Sequence, residues 1–526
     1  MNNLATELIV QIFHGIDLLS LLRCRQVCRT WDKAIRCDLG LLYKQELAVA
    51  GMEDGNSDLN VAERLRLLRA HQEGWNKLDF TEDVVIDMHS QTYPHFSWNL
   101  QGGILSQMTS FESIEFHQIP STIRGIPPRS WTLQDLGFMF VDFGFDPSQD
   151  LVVLAEASAP YTDQYLFSEA HDIHLLTLSD GLRHPLASKP VIRYTSKQHF
   201  HYAHHIRIYE YLAISWQSAL LVVWEWKTGE VRLAVRGPEF SLSFAFLPNG
   251  FLLITRLSEK DIIAIDLSQL KADSTIYTSN VNTATPILDL RYHSAFELPI
   301  FTSGHEINDF EIHYDSRPSS HPVKALTVPF YETQGHIIIL YIGVEKGGVT
   351  TQLRFFILTS NIIQWFNTLT PQSKSEGSGT KLPWGIWGPS SCWTNYMNPD
   401  INRKWSRRNV FGTKYVEFPF GGMEPSTIVF ADFNQMKCRK SLAEGETEDV
   451  LSAPDLGDSS QTVIHFYKSS ECENPPTTTL LWREKRLSSK YITLGSDSSV
   501  LICEDAIIVL QFLQPECTIQ FRVMSI

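Results

Sequence analysis

Past about Leu78 this chain becomes a succession of short apolar runs, rich in β-branched and aromatic residues and separated by clusters of Gly, Pro, Asn and Asp. That texture reads as strands and turns. Earlier examples are FMFVDFGF at 138–145, LVVLA at 151–155, IRIYEYLAI at 206–214, LLVVWEW at 220–226, and the runs at 231–235 and 251–255. Later ones fall at 337–342, 353–358, 427–430, 463–467, 500–503, 506–512 and 518–523. Strands do not alternate with helical stretches of useful length, which argues against a parallel α/β fold. Many short strands at close intervals leave a sandwich, a barrel or a propeller.

Loose internal similarity selects the propeller. VVWEWKTGEVRLAV (222–235) reads as a strand, a Lys-Thr-Gly turn and a strand. IHLLTLSDGLRHPLA (173–187) has the same shape around Ser-Asp-Gly, and IIAIDLSQL (262–270) is a shorter version. Each follows a separate apolar strand, the layout of the outer strands of a blade, and about 440 residues at roughly 40–60 per blade give about six to eight blades. The final TIQFRV alternates well and is expected to pair with a strand near 84–86, closing the ring and leaving no free edge. The expected fold is therefore all-β, a degenerate WD-repeat-like β-propeller of about six to eight blades, preceded by a small all-α domain.

The first eighty residues predict helices. Leu8, Ile9, Ile12, Phe13 and Ile16 recur at helical spacing, with Glu7 in the first turn, where a carboxylate suits the helix dipole, and Gly15 near the end. Asp17 is placed to cap a second helix carrying Leu18, Leu21 and Leu22. Val27, Trp31 and Ile35, at steps of four, predict a third. A fourth begins near Asp38, carries Leu41, Leu42 and Leu47, and stops before Gly51. MEDGNSDLN (52–60) reads as a loop in which Ser57 or Asp58 starts a further helix, with Val61, Leu65, Leu68 and Trp75 on one side. So small a Leu-rich bundle has more apolar surface than it can hide, and calls for a partner or a neighbouring domain. The division expected is a helical domain at 1–50, a helical connector at 51–79 and a β domain at 80–526. PQSKSEGSGT (371–380) and the acidic SLAEGETEDVLSAPDLGDSSQ (441–461) are too poor in apolar residues to pack and read as mobile insertions.

Charge and cysteine usage narrow the function. A formal net charge of -15 is a poor basis for nucleic-acid binding, which needs surplus Lys and Arg. The eight cysteines are sparse and lack disulfide-framework spacing, which suits a reducing compartment. MNNLATELIV lacks the basic segment and cleavage site of a signal peptide, and no apolar run approaches the length of a bilayer span. The expectation is a soluble protein of the cytoplasm or nucleus, with neither nucleic acid nor membrane as partner.

LATELIVQIFHGIDLLSLLRCRQVCRTWDKAI, at 4–35, resembles the F-box. That family pattern is a Leu-Pro-x-Glu-Leu start, an Ile-Leu-like pair, an Asp, a Leu-Leu helix and then Val-Cys-Arg-x-Trp. Leu4, Glu7, Leu8, Ile12, Asp17, Leu21, Leu22, Val27, Cys28, Arg29 and Trp31 match it. Ala5 departs from the usual proline, which would pre-set the first turn. LLYKQELAVAGMEDG, ERLRLLRAHQEGWNKLDF, LQGGI and VVWEWKTGEV further resemble a large fungal group in which an F-box precedes a degenerate β-propeller-like domain. The resemblance implies a substrate receptor of an SCF-type ubiquitin ligase. The helices would dock on a Skp-family adaptor, and through it on cullin and RING subunits, through Leu4, Glu7, Leu8, Ile12, Leu21, Leu22, Val27, Cys28 and Trp31. The β domain would present a target protein, and the chain itself would do no chemistry.

Other clusters weigh less. Cys24, Cys28 and Cys37 have no nearby fourth ligand for zinc, since His14 stands on another helix. HFHYAHH (199–205) has no adjacent Cys or carboxylate pair and reads as a strand end or loop. No metal site and no cofactor is expected. RKWSRR makes Arg403, Trp405, Arg407 and Arg408 candidate contacts for a phosphate or an acidic peptide, against the plainer reading of a solvated loop. No G-x-S-x-G, H-E-x-x-H, Walker or G-x-G-x-x-G motif occurs. Two alternatives stand beside the receptor: a propeller hydrolase or lyase whose helices cap the pocket, and an F-box protein that binds its adaptor outside any ligase.

Overall fold

The computed structural model describes residues 4–89, 98–156, 170–195, 205–216, 220–237, 242–270, 284–301, 304–315, 326–332, 335–368, 379–397, 409–417, 427–445, 450–452, 481–487, 499–513 and 518–526. Five helices come first: α1 (Thr6–His14), α2 (Leu18–Arg25), α3 (Arg29–Cys37), α4 (Leu39–Ala50) and α5 (Val61–Lys77). Their ends follow local chemistry. The Asp17 carboxylate caps α2 by accepting from Ser20 N at 3.0 Å, and Asp38 caps α4 by accepting from Leu41 N at 2.8 Å. Gly51 stops α4 in the left-handed conformation, φ 73°, which glycine adopts without a Cβ penalty. Helix α5 is capped by Asn60 rather than by Ser57 or Asp58. Ser57 is buried and spends its hydroxyl on Leu59 N inside the preceding turn. Val27 lies ahead of α3, whose apolar stripe therefore begins at Trp31.

Beyond Leu78 the chain is mostly β. Among the described residues, seven sheets of four or five strands follow one another along the sequence. Sheet one spans 98–133, sheet two 140–195, sheet three 205–236, sheet four 244–297, sheet five 306–397, sheet six 410–487, and sheet seven 499–525 together with Glu82–His89. Thr285–Pro286 and Thr380–Leu382 add parallel strands to sheets three and four. The pairing expected of the last strand is present: Thr518–Ser525 lies antiparallel to Glu82–His89, with Val84 opposite Val523 and Ile86 opposite Phe521.

Apolar clusters join each sheet to the next. Phe116 and Leu133 of sheet one pack with Phe145 and Leu154 of sheet two. Leu175 of sheet two meets Leu212 and Trp224 of sheet three, and Val223 of sheet three meets Leu252 and Ile254 of sheet four. Leu253 of sheet four joins Leu340 and Phe355 of sheet five, whose Ile339 and Phe356 join Tyr415 and Trp482 of sheet six. Val416 and Phe430 of sheet six meet Ile502 and Val509 of sheet seven. Leu501 and Ile508 of sheet seven pack on Leu100 and Leu105 of sheet one, so the series returns to its start. Strand residues alternate between faces, so Leu252 and Ile254 serve one cluster and Leu253 the next. Both faces are covered, which is why runs such as LVVLA are apolar throughout rather than at every second residue.

Several local expectations change. Residues 206–214 form two strands, His205–Ile208 and Leu212–Trp216, folded back at Tyr209–Tyr211 with no Gly, Pro, Asn or Asp to mark the turn. The strand that returns after Ser-Asp-Gly is Val191–Thr195, not the residues next to the turn. The 222–235 hairpin forms as read, with Gly229 at φ 69°. MEDGNSDLN is not all loop, because Met52–Asp54 is a strand paired with Phe330–Glu332, a partner too distant in sequence to leave a local signal. Helices α6 (Thr359–Thr368), α7 (Trp384–Ser391) and α8 (Gln435–Glu444) interrupt the β domain. Of the expected insertions, Thr380 opens a strand, Ser441–Glu444 close α8, and Val450–Ser452 is a strand. Residues 446–449 and 453–461, with 371–378 and 463–467, lie outside the described residues.

Candidate functional site

The outer bundle of α1–α3 shares a small core of Ile9, Phe13, Leu21 and Ile35 with Leu41 of α4. Trp31 closes it edge-on against Phe13 at 5.4 Å. Lys44 Nζ lies 2.8 Å from His14 O and 2.7 Å from Ile16 O, placing a cation at the carboxyl end of α1, where the helix dipole favours it. Val10 and Ile16 pack against this core, while several other large apolar residues of the bundle face outward. Leu8 and Ile12, one turn apart on α1, are each 49% exposed; Leu4 precedes them at 41%, and Leu19 and Val27 stand at 64% and 63%. Helices α2 and α3 also carry Arg23, Arg25, Arg29, Lys33 and Arg36, with Asp32 held by Arg25 Nε at 3.0 Å and Arg36 Nε at 2.9 Å.

The residues expected to meet an adaptor therefore sort into three groups. Leu4, Glu7, Leu8, Ile12, Val27 and Cys28 are exposed, Leu22 and Trp31 are half-buried, and Leu21 is fully buried and supports the surface from beneath. Leu19 was not among them, although LLSLL carried the signal. When Leu18, Leu21 and Leu22 face inward, the residue after Leu18 turns out. Cys24, Cys28 and Cys37 are free thiols, and among the described residues no group of three or more His, Cys, Asp or Glu is placed to hold a metal ion. Arg403, Trp405, Arg407 and Arg408 lie outside the described residues, as do His199, His201 and His204 of the histidine-rich stretch.

Helices α4 and α5 form the seat of this bundle on the β domain. Met52–Asp54 adds a short ladder to Phe330–Glu332, extended by Gly55 N to Pro329 O at 3.0 Å and Ser57 N to Val328 O at 3.2 Å. The Tyr43 hydroxyl lies 2.9 Å from both Asp54 Oδ1 and Pro329 O. Asn434, which caps α8, donates to Val49 O at 3.0 Å. Tyr43, Leu47, Leu65 and Leu68 share one apolar cluster with Phe330. Further along α5, Trp75 stacks on Phe430 of sheet six at 5.3 Å and donates Nε1 to Glu504 O at 3.2 Å.

Beneath α5 lies a cluster of buried charge. His71 Nε2 is 3.1 Å from Asp505 Oδ1. Arg124, in the loop between the last two strands of sheet one, reaches Asp505 Oδ2 with Nε at 2.8 Å and Glu504 Oε2 with a terminal nitrogen at 2.8 Å. Glu504 Oε1 accepts from Glu332 N at 2.8 Å, and Glu332 Oε2 accepts from Lys414 Nζ at 2.7 Å. Every one of these side chains is buried. Burial alone would raise the Asp505 carboxyl; the charge of Arg124 and the bond from His71 overturn that and hold it well below the usual carboxylate range. Burial would likewise lower Lys414, but Glu332 and Asp432 raise it.

The F-box-like family model matches residues 1–45, a span that covers α1–α3 and ends within α4. The chain thus begins with an F-box-like domain, the type of domain that typically binds Skp adaptors, followed by a mostly β domain. A search of curated proteins gives no match. Solved structures similar to it include apo AztD from Citrobacter koseri, at 10% identity and a TM-score of 0.23, covering 34% of this chain and 46% of AztD. The chain thus spans about half the length of AztD, 46%. Another is Hsv2 from Kluyveromyces lactis, at 10% identity and a TM-score of 0.25, covering 50% of this chain and 68% of Hsv2.

Proposed function

We propose that this protein is the substrate receptor of an SCF-type ubiquitin ligase, of the fungal kind in which an F-box precedes a β-propeller. The observation that carries the proposal is the coincidence of the F-box-like match at 1–45 with an exposed apolar surface in the same residues. Leu8, Ile12, Leu19 and Val27 form the centre that a Skp-family adaptor covers, with Leu4, Glu7 and Cys28 beside them. A fully desolvated apolar centre inside a charged rim is the anatomy of a specific protein interface, and the arginines of α2 and α3 supply the rim. Leu21, Leu22 and Trp31 hold that surface in shape.

The β domain is a seven-bladed propeller in this proposal. Seven sheets, each packed on its neighbours in a series that returns to the first, support it, as does the pairing of the first and last β strands. It presents a target protein, with the basic segment around Arg403, Trp405, Arg407 and Arg408 as candidate contacts. The chain performs no reaction; it raises the concentration of the target near a ubiquitin-charged enzyme carried by cullin and RING subunits. Its place is the cytoplasm, the nucleus or both.

Binding of the full chain to a purified Skp-family adaptor tests this. Wild type binds, and the Leu8→Asp, Ile12→Asp double variant binds about 100-fold more weakly, as expected for two hot-spot residues at a desolvated centre. Both positions are exposed, so the variant folds. Equal binding by the folded double variant, or none by wild type, overturns the assignment.

A further inference from the structure

The family match stops at residue 45, so of the contacts that join the helices to the β domain it includes those of Tyr43 and none of α5. The charge cluster under α5 therefore has no assigned role. Its members come from five separate places: His71 from α5, Arg124 from sheet one, Glu332 from the strand paired with Met52–Asp54, Lys414 from sheet six, and Glu504 and Asp505 from the turn between the first two strands of sheet seven. Packing alone does not call for this, since ordinary apolar residues would hold a helix on a sheet end as well or better. What charge adds is direction. Arg124 holds two adjacent carboxylates at once and Glu504 takes a backbone donor from the Phe330–Glu332 strand, so Asp505 is held in one place as the acceptor that α5 meets through His71.

Gly74 reinforces that placement. A Cβ at this position of α5 would come within 2.1 Å of the Ile526 side chain, so a larger residue there must displace that side chain or the helix. Ile526 is itself tied to the same turn, its N donating to Asp505 O at 2.8 Å. Helix α4, packed on α5, carries the outer bundle. Any tilt of α5 is therefore passed to the exposed apolar surface of α1 and α2.

We propose that Asp505 and Arg124 are positioning residues: they fix the angle at which the helical module stands on the β domain, and so the geometry between whatever the module binds and whatever the β domain binds. This rests on the receptor reading for its consequence, but not for its geometry. The adaptor-facing side chains lie on α1–α3, away from the cluster. Loosening the cluster should leave adaptor affinity intact while spoiling transfer, which depends on the distance and direction between two bound partners.

The test uses the full chain with spin labels on unnatural side chains at Lys33 of α3 and Lys260 of sheet four, and measures the distance distribution between them. Wild type gives one narrow distribution. Asp505→Asn, which keeps the size and removes the charge, gives a broader or shifted one. Gly74→Ala, which crowds α5 against Ile526 without touching any charge, does the same and stands in if the first variant does not fold. In a reconstituted ligase, Asp505→Asn lowers the rate of ubiquitin transfer onto the receptor itself about tenfold, while adaptor affinity stays within about twofold, as for distant independent sites. An unchanged distribution in a folded Asp505→Asn or Gly74→Ala variant overturns the inference, as does equal loss of adaptor affinity and transfer. The distance measurement needs no adaptor, so failure of wild type to bind one refutes the receptor assignment and leaves this result standing.

Discussion

Helices α1–α3 bury a few apolar side chains and leave Leu8, Ile12, Leu19 and Val27 to solvent, whereas α5 of the inner pair α4–α5 lies over buried Arg124, Glu332, Lys414, Glu504 and Asp505. Each arrangement is costly by itself. Exposed leucines in a small bundle invite association, and buried charges must be desolvated. The contrast is intelligible if the outer bundle is shaped for a partner that comes and goes, while the inner pair is shaped for one that never leaves. The chain's own β domain is that permanent partner, and it supplies the carboxylate that His71 of α5 meets.

The sharpest break of this contrast is Arg124→Ala. It strands Glu504 and Asp505 among buried neighbours and should cost about 3–5 kcal/mol, the usual penalty for removing one member of a buried ion cluster. Urea unfolding at neutral pH reads it as a lowered midpoint. A loss below about 1 kcal/mol would place the cluster with surface ion pairs and erase the difference between the two regions.

Leu21→Ala ranks next. Leu21 is fully buried in the outer bundle, so its truncation should cost about 2–5 kcal/mol. The damage should stay local. Hydrogen exchange should quicken across α1–α3 and remain slow in α5, whose anchors Trp75 and His71 do not touch that core. Quickened exchange in α5 as well would make the two regions one cooperative unit.

What could be read from the sequence follows the range of the interactions. Asp17, Asp38 and Gly51 mark helix ends through bonds three or four residues long, and all three were legible. The change at Leu78 was legible too, because periodicity switches there from helical to apolar runs, and α5 ends at Lys77. The pairing of Glu82–His89 with Thr518–Ser525 followed from the alternation of the final TIQFRV, which calls for a partner strand. Asn60 was missed because three polar residues compete for one cap within four positions. Leu21 could be placed on an apolar stripe but not assigned to core or surface, since a stripe wider than the bundle it serves contains both. The charge cluster left no trace in the sequence. His71 and Asp505 are 434 residues apart, and a lone His in a helix or an Asp in a turn signals nothing by itself.

Acid should separate the regions further. The Asp505 carboxyl is depressed despite its burial, so the stability it contributes is fully present above its unfolded pKa near 4 and is lost as pH falls through the lower folded value. In the outer bundle, Asp17 is lowered by the Ser20 hydroxyl and Asp32 by Arg36, but both are solvent-exposed and contribute little to this limb. Urea midpoints between about pH 6 and pH 3 should fall less steeply for Asp505→Asn than for wild type. Parallel slopes would remove Asp505 from the acid limb. At the alkaline end Lys414, raised in the fold, acts in the opposite sense: its contribution holds below the unfolded lysine value and is lost as pH climbs through the folded one.

The smallest effect is the most telling for the outer surface. Leu8 is 49% exposed on α1, and Leu19 is 64% exposed on α2. If these leucines exist for a partner, truncating them removes little that the free chain uses. Leu8→Ala and Leu19→Ala should each change unfolding stability by no more than about 0.5 kcal/mol, the ordinary range for surface positions. Alanine favours a helix slightly over leucine, so the change can have either sign. A loss of about 2 kcal/mol or more would mean instead that both side chains pack against the chain's own residues in solution, as core leucines do. The surface would then be covered from within, and the outer bundle would differ from α4–α5 only in size.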